Sequence, residues 1–561
     1  MKRLFIPMFV VCSALAVASC ATKNHAQAQN ANVSQTADTQ NNYYPNIASG
    51  APTTPDDPAP AGAGWPVIFK DGTTSYTIYE PECDSWNGQQ FSGRSAVAVQ
   101  AAGQAEPIYG VVTFNAITLV NKSARTVTLA NFKVTSADFP SARTQPQNYL
   151  NPIAQNLPKR APALELDRLE SSLAINAPPK ADRLNNTPPK VIVATRPSVL
   201  VYVDGAPALR PVAGTDLQRV INSRMLLLKD STGAYYLHLF DGYLTAPSLE
   251  GPWKVASEPP AGATTAEQEA TASGQVDLMQ GTPDAVTQKI PSLKNPPVPD
   301  VYVATRPTEL IQLHGQPEFA SIPGTDLLYA ENTSGNVFKS LADQQTYILI
   351  SGRWYRAASL DGPWLFVPGN ELPHDFANIP DSSPKENVKA SVPGTPQAEE
   401  ALIANSVPES SAVPRNSQMP APQYDGAVKL APVEGTPLQY VVNSPTPVIE
   451  VTPQSWYACS DGVWYNAASA SGPWNVATFV PPVIYTIPPD SPLHYLTYVQ
   501  VYGTSPDSVY EGYTPGYMGT EVADDGTVVY GTGYDYNPWI GSVWYGPPIT
   551  WGWGFDCCWN P

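Results

Sequence analysis

Gly-Pro-Trp occurs three times along the chain, as Gly251-Pro252-Trp253, Gly362-Pro363-Trp364 and Gly472-Pro473-Trp474. The intervals are 111 and 110 residues. A fixed period of this kind marks one supersecondary unit repeated in tandem, so the chain reads as an array. Other residues keep the same phase. Each copy opens on a glycine, Gly205, Gly315 or Gly426. Nine residues later comes Gly214-Thr215-Asp216-Leu217, Gly324-Thr325-Asp326-Leu327 or Gly435-Thr436-Pro437-Leu438. Copies one and two are preceded by Ala194-Thr195-Arg196-Pro197 and Ala304-Thr305-Arg306-Pro307, a lead-in that copy three lacks.

Within each copy the Gly-Thr turn is followed by short β-type runs, such as Tyr235 to Leu239 and Tyr347 to Ile350. Next comes Trp354-Tyr355-Arg356-Ala357-Ala358-Ser359, matched by Trp464-Tyr465-Asn466-Ala467-Ala468-Ser469 and more weakly by Tyr243-Leu244-Thr245-Ala246. Frequent turn residues between alternating aromatics predict a small antiparallel meander of four or five strands. Between copies, Thr282-Pro283 before Asp284 to Thr287, and Thr395-Pro396 before Gln397 to Ile403, carry an N-cap threonine with proline at the first helical position. Each predicts a short helix, and the third copy loses it.

Ahead of the array, Tyr109 to Val120 and Thr126 to Val134 alternate around the polar turn Asn121 to Ala124, which predicts an antiparallel hairpin. Leu166, Leu169 and Leu173 share one face of a short connecting helix. The expected organisation is a leader (1–20), a flexible tether rich in Ala, Gln, Asn, Thr and Pro (21–64), an N-terminal β domain (65–140) and a Pro-rich connector (141–188). Three repeat modules follow (189–296, 297–418, 419–480), then a Tyr/Gly/Trp-rich C-terminal segment (481–561). That last segment reads either as a strand-and-turn layer on the modules or as an adhesive surface region. The fold class is mainly β, with tandem meander modules, short connecting helices and a separate N-terminal β domain.

The leader has a basic start at Lys2 and Arg3, an apolar run from Leu4 to Val17, and the small-residue exit Val17-Ala18-Ser19-Cys20. It is a secretory signal, too short to span a bilayer. The exit resembles a bacterial lipobox, which implies acylation of Cys20 and, with Ala21 next, an outer-membrane address facing the periplasm or the surface. Ordinary cleavage after Ala18 also fits a small-x-small site. A net charge of -18 leaves no basic footprint for phosphate backbones, which argues against nucleic acid. Beyond the leader, Cys83, Cys459, Cys557 and Cys558 allow three disulfide pairings, and a bond between the adjacent Cys557 and Cys558 would be strained. No zinc-type spacing is present. Long-range pairing or free thiols are expected, with no metal or other cofactor.

Gly462-Val463-Trp464-Tyr465-Asn466-Ala467, running to Gly472-Pro473-Trp474, resembles the end of chitin- and cellulose-binding modules of families V and XII. The chain after the tether is similar to uncharacterised bacterial envelope proteins of carbohydrate-binding family V/XII. The residues that carry this likeness include Ala194 to Pro197, Val433 to Tyr440, Val483 to Pro489 and Gly512 to Tyr517. The resemblance implies polysaccharide binding. Sugar rings stack their C–H faces on flat aromatic side chains, and Trp354, Tyr355, Trp464 and Tyr465 are the candidate platform. Adjacent strand residues face opposite ways, so only one of Trp464 and Tyr465 can face solvent. A small module also needs such residues for its core, and Gly-Pro-Trp is a turn that folds an aromatic back over the sheet.

Signals for catalysis are poor. His25, His238, His314, His374 and His494 are scattered, and no nucleophile elbow or phosphate loop occurs. The expectation is a non-enzymatic, lipid-tethered envelope protein with polysaccharide as partner. One alternative is an envelope protein-interaction scaffold without glycan binding. The other is a hydrolase assembled from distant residues.

Overall fold

The computed structural model describes residues 65–536 and 541, except 105–106, 141–146, 171–183, 275 and 284–287. Cys20, the 21–64 segment, Leu173, the helix start at Asp284 to Thr287, and residues 537–540 and 542–561 of the Tyr/Gly/Trp-rich segment, with Cys557 and Cys558, lie outside them. The fold is mainly β, with 39% strand, 15% helix and many small antiparallel sheets.

Alternating sequence builds the N-terminal sheet. Its strands are β1 (Val67–Asp71), β2 (Thr74–Ile78), β3 (Glu82–Trp86), β4 (Gln90–Gln100), β5 (Ile108–Asn121), β6 (Thr126–Asp138) and β7 (Leu164–Glu165). They lie in the order β1-β2-β4-β5-β6-β7, with β3 also paired to β4. The expected hairpin is β5 and β6. Val112, Phe114 and Ala116 point inward, whereas Tyr109, Val111 and Asn115 point out. Phe139 lies flat against Gly110, where any Cβ would fall 2.3 Å from its ring. The leucine helix begins as expected at Leu166–Glu170, with Leu166 and Leu169 buried in this domain's core.

Each repeat is a meander, with six strands where four or five were expected. The sheets run from Leu209 to Val255, from Phe319 to Val367 and from Leu430 to Val476, the last with a seventh strand, Gln418–Met419, at its edge. The registers correspond. Tyr243, Trp354 and Trp464 occupy one position of the fifth strand, and Leu244, Tyr355 and Tyr465 the next. The preceding hairpin has a two-residue loop in all three. In copies two and three the loop is Ser351-Gly352 and Asp461-Gly462, with positive φ at both residues, as the twist of a tight hairpin requires.

The closing turns match as well. All three Gly-Pro peptides are cis, and the indole Cδ1 of Trp253, Trp364 and Trp474 packs against the turn glycine. An asparagine 17 residues after each opening glycine fixes that glycine's loop. Asn222 donates to the carbonyls of Asp204 and Ala206, Asn332 to those of His314 and Gln316, and Asn443 to those of Asp425 and Ala427.

A six-stranded meander this small has two apolar faces, and the chain covers both. One face receives the segment that follows the sheet. In copy one this is the helix Ala263–Ser273, which presents Ala263, Ala266 and Ala270. The sequence carries no start signal for this helix, whose N-cap is Gly262. In copy two the cover brings Phe376, Ile379, Val388 and Val392, and in copy three Ile484, Ile487, Leu493 and Leu496. The expected helix after Thr395 is present at Pro396–Ser406, and the Thr395 side chain accepts from the Ala398 N–H. Copy three has no α-helix in its cover, but two 3-10 turns, Pro482–Thr486 and His494–Tyr498.

The other face of copies one and two is covered by the lead-ins. Each lead-in is a strand, the Ala-Thr-Arg-Pro turn and a second strand. Lys190–Ala194 pairs in parallel with Thr308–Gln312, and Asp300–Ala304 with Ser198–Tyr202. Each strand of one lead-in therefore pairs with the opposite strand of the other, as across a two-fold axis. Flanking bonds obey the same symmetry. Val203 N–H donates to Ala304 C=O at 2.9 Å, and Leu313 N–H to Ala194 C=O at 2.7 Å. One ribbon lays Val199, Val201, Val301 and Val303 on sheet one, and the other lays Val191, Val193 and Ile311 on sheet two. Between the ribbons, Ala194, Leu200, Ala304 and Leu310 form the seam.

The C-terminal segment is the strand-and-turn layer as far as it is described. Val499–Thr504 and Ser508–Tyr513 form a sheet with Glu409–Pro414, which docks on the N-terminal domain through Ser410 Oγ and Glu409 Oε2, acceptors for the Val120 and Lys122 N–H groups. Tyr534 and Tyr536 pack into the core of copy two.

The seam's symmetry gives a stability test. Leu200→Ala and Leu310→Ala occupy equivalent buried sites, so each should cost about 2–5 kcal/mol in denaturant unfolding, with similar values for the two. Because these side chains share one cluster, the double variant should deviate from additivity. A clear loss from one substitution and none from the other would mean that the exchange is not symmetric in energy.

Candidate functional site

The expected sugar platform is not on the surface. Trp354 is 2% exposed, Tyr355 and Trp464 are 0% exposed, and Tyr465 is half-buried. The strand alternation is as expected, with Trp464 and Tyr465 on opposite faces of their sheet. What overturns the platform is that both faces are covered, which closes Trp354, Tyr355 and Trp464 off from solvent and leaves Tyr465 only part of its ring.

The Trp354 ring packs edge-on against Phe376, with centroids 4.6 Å apart, and its Nε1 donates to Ser391 C=O at 2.8 Å. Trp464 Nε1 donates to Val499 C=O, also at 2.8 Å. Tyr243, the counterpart in copy one, donates its hydroxyl to Glu267 at 2.7 Å. In every copy this aromatic fastens the returning segment to its sheet. An indole reaches a backbone carbonyl, at the end of a 3-10 turn in copy two and at the start of a strand in copy three, whereas a phenol reaches a side chain on the copy-one helix. Tyr355 lies among Ile311, Leu313, Ile348 and Tyr536, under the lead-in ribbon.

The chemistry-bearing side chains that sequence reasoning passed over gather where the C-terminal layer grips these hairpins. Arg353 is buried, and its guanidinium donates to Tyr530 C=O at 2.8 Å, Gly531 C=O at 2.7 Å and Asn186 Oδ1 at 3.0 Å. Nearby, Glu521 accepts from the Tyr498 hydroxyl and lies 3.7 Å from His494 Nε2, and both Glu521 and His494 are buried. His494 Nδ1 meets Ile487 C=O at 2.7 Å, so that nitrogen carries the proton. In copy three, Glu511 Oε2 accepts from the Trp464 N–H at 2.7 Å, while Oε1 is buried without a hydrogen-bond partner. Burial pushes the Glu511 carboxyl up to about 8. Burial likewise drives the Cys459 thiol far above its usual range. These groups bind the layer to the modules and have no opening to solvent. Residues scattered over such distances leave no spacing signal in a sequence.

Among the described residues no group of three or more His, Cys, Asp or Glu is placed to hold a metal ion. A cavity of about 280 Å³ lies between the β2–β3 link and the leucine helix, lined by Glu80, Glu82, Cys83, Leu164, Arg168 and Leu169. Arg168 closes over it through an ion pair to Glu80 at 2.5 Å.

The surface feature that stands out is the outer face of the N-terminal sheet. Ile68, Thr77, Ala98 and Tyr109 form one row across β1, β2, β4 and β5. The next row carries Tyr79, Ala96 and Val111. Ile68 and Tyr109 are each 61% exposed, and Tyr79 and Val111 each 42%. Three strand intervals put Ile68 and Tyr109 roughly 14 Å apart, with small side chains between them. The alternation of β5 was legible in the sequence. That the outward positions line up into rows, with Ile68 and Tyr109 or Tyr79 and Val111 at the ends and small side chains between, depends on cross-strand register, which was not.

Comparison of the chain with protein-family models, curated proteins and solved structures found no match. The resemblance to family V/XII modules therefore stands on the motif residues alone.

Two outcomes are expected. Trp354→Ala and Trp464→Ala each empty a buried site and should cost about 3–5 kcal/mol, read as a lowered thermal melt. An unchanged melt would show that the ring does not hold its cover. The second concerns Glu511, whose folded-state pKa lies above the ordinary carboxyl value near 4.3. The neutral form is favoured by folding, so its stability contribution is complete below about pH 4.3 and is lost as pH rises toward about 8. Glu511→Gln should flatten that decline and raise stability at neutral pH relative to the parent. Parallel pH–stability curves for the two proteins would contradict it.

Proposed function

We propose that this chain is a lipid-tethered scaffold of the outer membrane whose repeat modules are structural bodies and not sugar platforms. The observation that supports this is the covering of both faces of the sheets. The aromatic residues that polysaccharide binding would need are engaged in holding lead-ins and returning segments. The exchange of lead-in strands joins copies one and two, and the C-terminal layer joins copies two and three to the N-terminal domain. A linked body of this kind presents fixed surfaces at fixed separations, which is what a scaffold for envelope partners requires. Anchoring rests on Cys20 and the lipobox pattern before it. Among the described residues no helix is long and apolar enough to cross a membrane.

Fractionation and pull-down test the two halves separately. Cys20→Ser should move the protein from the membrane fraction to the soluble fraction; persistence with the membrane would remove lipid as the anchor. The soluble variant should not be retained on insoluble chitin, cellulose or peptidoglycan. Retention that an exposed substitution such as Tyr109→Ala abolishes, with the melt unchanged, would restore polysaccharide binding on a different surface. Turnover of any of these glycans would point to the hydrolase.

A further inference from the structure

On the reading that Cys20 carries lipid, we propose that the outer face of the N-terminal sheet rests on the bilayer surface, with Ile68, Tyr79, Tyr109 and Val111 in the interfacial layer.

The path of the chain argues for this occupant. The 44 residues from 21 to 64 separate Cys20 from Trp65. Trp65 packs against both cores of the N-terminal domain and leads into β1, the strand that carries Ile68. The anchored segment thus joins the fold at the sheet whose outer face is apolar. A tether turns a second contact into an intramolecular one, so a patch that binds a bilayer only weakly by itself gains a high local lipid concentration.

The composition of the face points the same way. Tyrosine suits the membrane interface, with its ring among the acyl ends and its hydroxyl at the headgroups. Half of the large apolar residues here, Ile68 and Val111, are aliphatic and offer no flat ring for a sugar. Charge adds a further reason. The chain carries 49 acidic and 31 basic side chains. This face balances Lys70, Arg94 and Lys133 against Glu82, Asp84 and Asp138, with Arg94 paired to Glu82 and Asp84 at 3.4 and 3.5 Å. A balanced face avoids the repulsion from anionic headgroups that the acidic excess elsewhere imposes.

The test uses the full mature chain with Cys20→Ser, so that no acyl chain contributes, and vesicles of phosphatidylethanolamine and phosphatidylglycerol. With lipid in large excess a fraction of this protein should sediment with the vesicles, a hold weak enough to be lost when membranes are washed. Adding Ile68→Ser and Tyr109→Ser should lower that fraction several-fold with an unchanged thermal melt, because both side chains are exposed. Tyr79→Ser, just past the end of β2, should act in the same direction. Failure to sediment, or sedimentation indifferent to all three substitutions, would overturn the proposal. So would loss of peptidoglycan retention in the same variants, which would assign the face to glycan. Fractionation of the unsubstituted protein separates this result from the anchor. Acylation can hold while vesicle binding fails, and vesicle binding can hold where Cys20 is not acylated.

Discussion

Every repeat depends on keeping water from both sides of a sheet that is too small to form a closed barrel. Six strands of two to six residues expose two apolar faces, and apolar burial is the main favourable term in folding. A sheet like this is stable only as the middle layer of three. The chain meets the requirement by using sequence on either side of each meander, with the lead-in on one face and the returning segment on the other. The symmetric exchange of lead-ins follows from this. The two strands of one lead-in do not pair with each other, but two lead-ins, paired strand for strand, make two ribbons that cover two sheets at once. Copies one and two are therefore interdependent, and copy three, without a lead-in, needs a different solution. It recruits Gln418–Met419 as an additional strand and covers the same face with Met419 and Tyr424, whose hydroxyl donates to Ala470 C=O at 2.7 Å.

The equivalent fifth-strand residue shows how the copies diverged without losing the plan. Its ring is buried in all three, and its polar atom always reaches the covering segment. Where the cover is a helix, the carbonyls are already used within it, and the partner is the Glu267 carboxylate. In copies two and three the partner is a backbone carbonyl, that of Ser391 at the end of a 3-10 turn or of Val499 at the start of a strand. Leaving such a buried donor unpaired would cost more than the bond contributes.

Much of this plan could be read from the sequence. Period, phase and turn chemistry located three meanders and their closing tryptophans, because local spacing encodes local structure. The Thr395-Pro396 helix start was legible for the same reason. The alternation that placed Trp464 and Tyr465 on opposite faces was equally local. Their burial was not, since it depends on Ile484 to Val499 folding back and on strands contributed from elsewhere in the chain. The lead-in motif was visible as a repeat, but a parallel pairing across about 110 residues has no signature in either strand alone. Copy one's cover, Ala263–Ser273, has no such signature, because an alanine stripe between polar residues carries little hydrophobic periodicity. Asn222, Asn332 and Asn443 were available as a third marker of the period, in phase with the opening glycines.

The same accounting indicates where recognition can occur. A residue that closes a core cannot also be offered to a ligand without opening that core, so each aromatic committed to a cover is withdrawn from the surface. In the modules, the large aromatics of the fifth strand and the closing turns are committed in this way to differing degrees, with Trp474 buried and Trp253 and Trp364 half-buried. The N-terminal sheet is built differently. Its inner face is closed by the helix Gln147–Asn156 and by Phe139, while no segment among the described residues closes over Tyr109 and Ile68 on the other. An antiparallel sheet tolerates one wet face, but that face is ordinarily polar. A row of large apolar side chains there is the exception in a chain that elsewhere covers its sheets on both sides, and it is the place where an external surface can supply the missing layer.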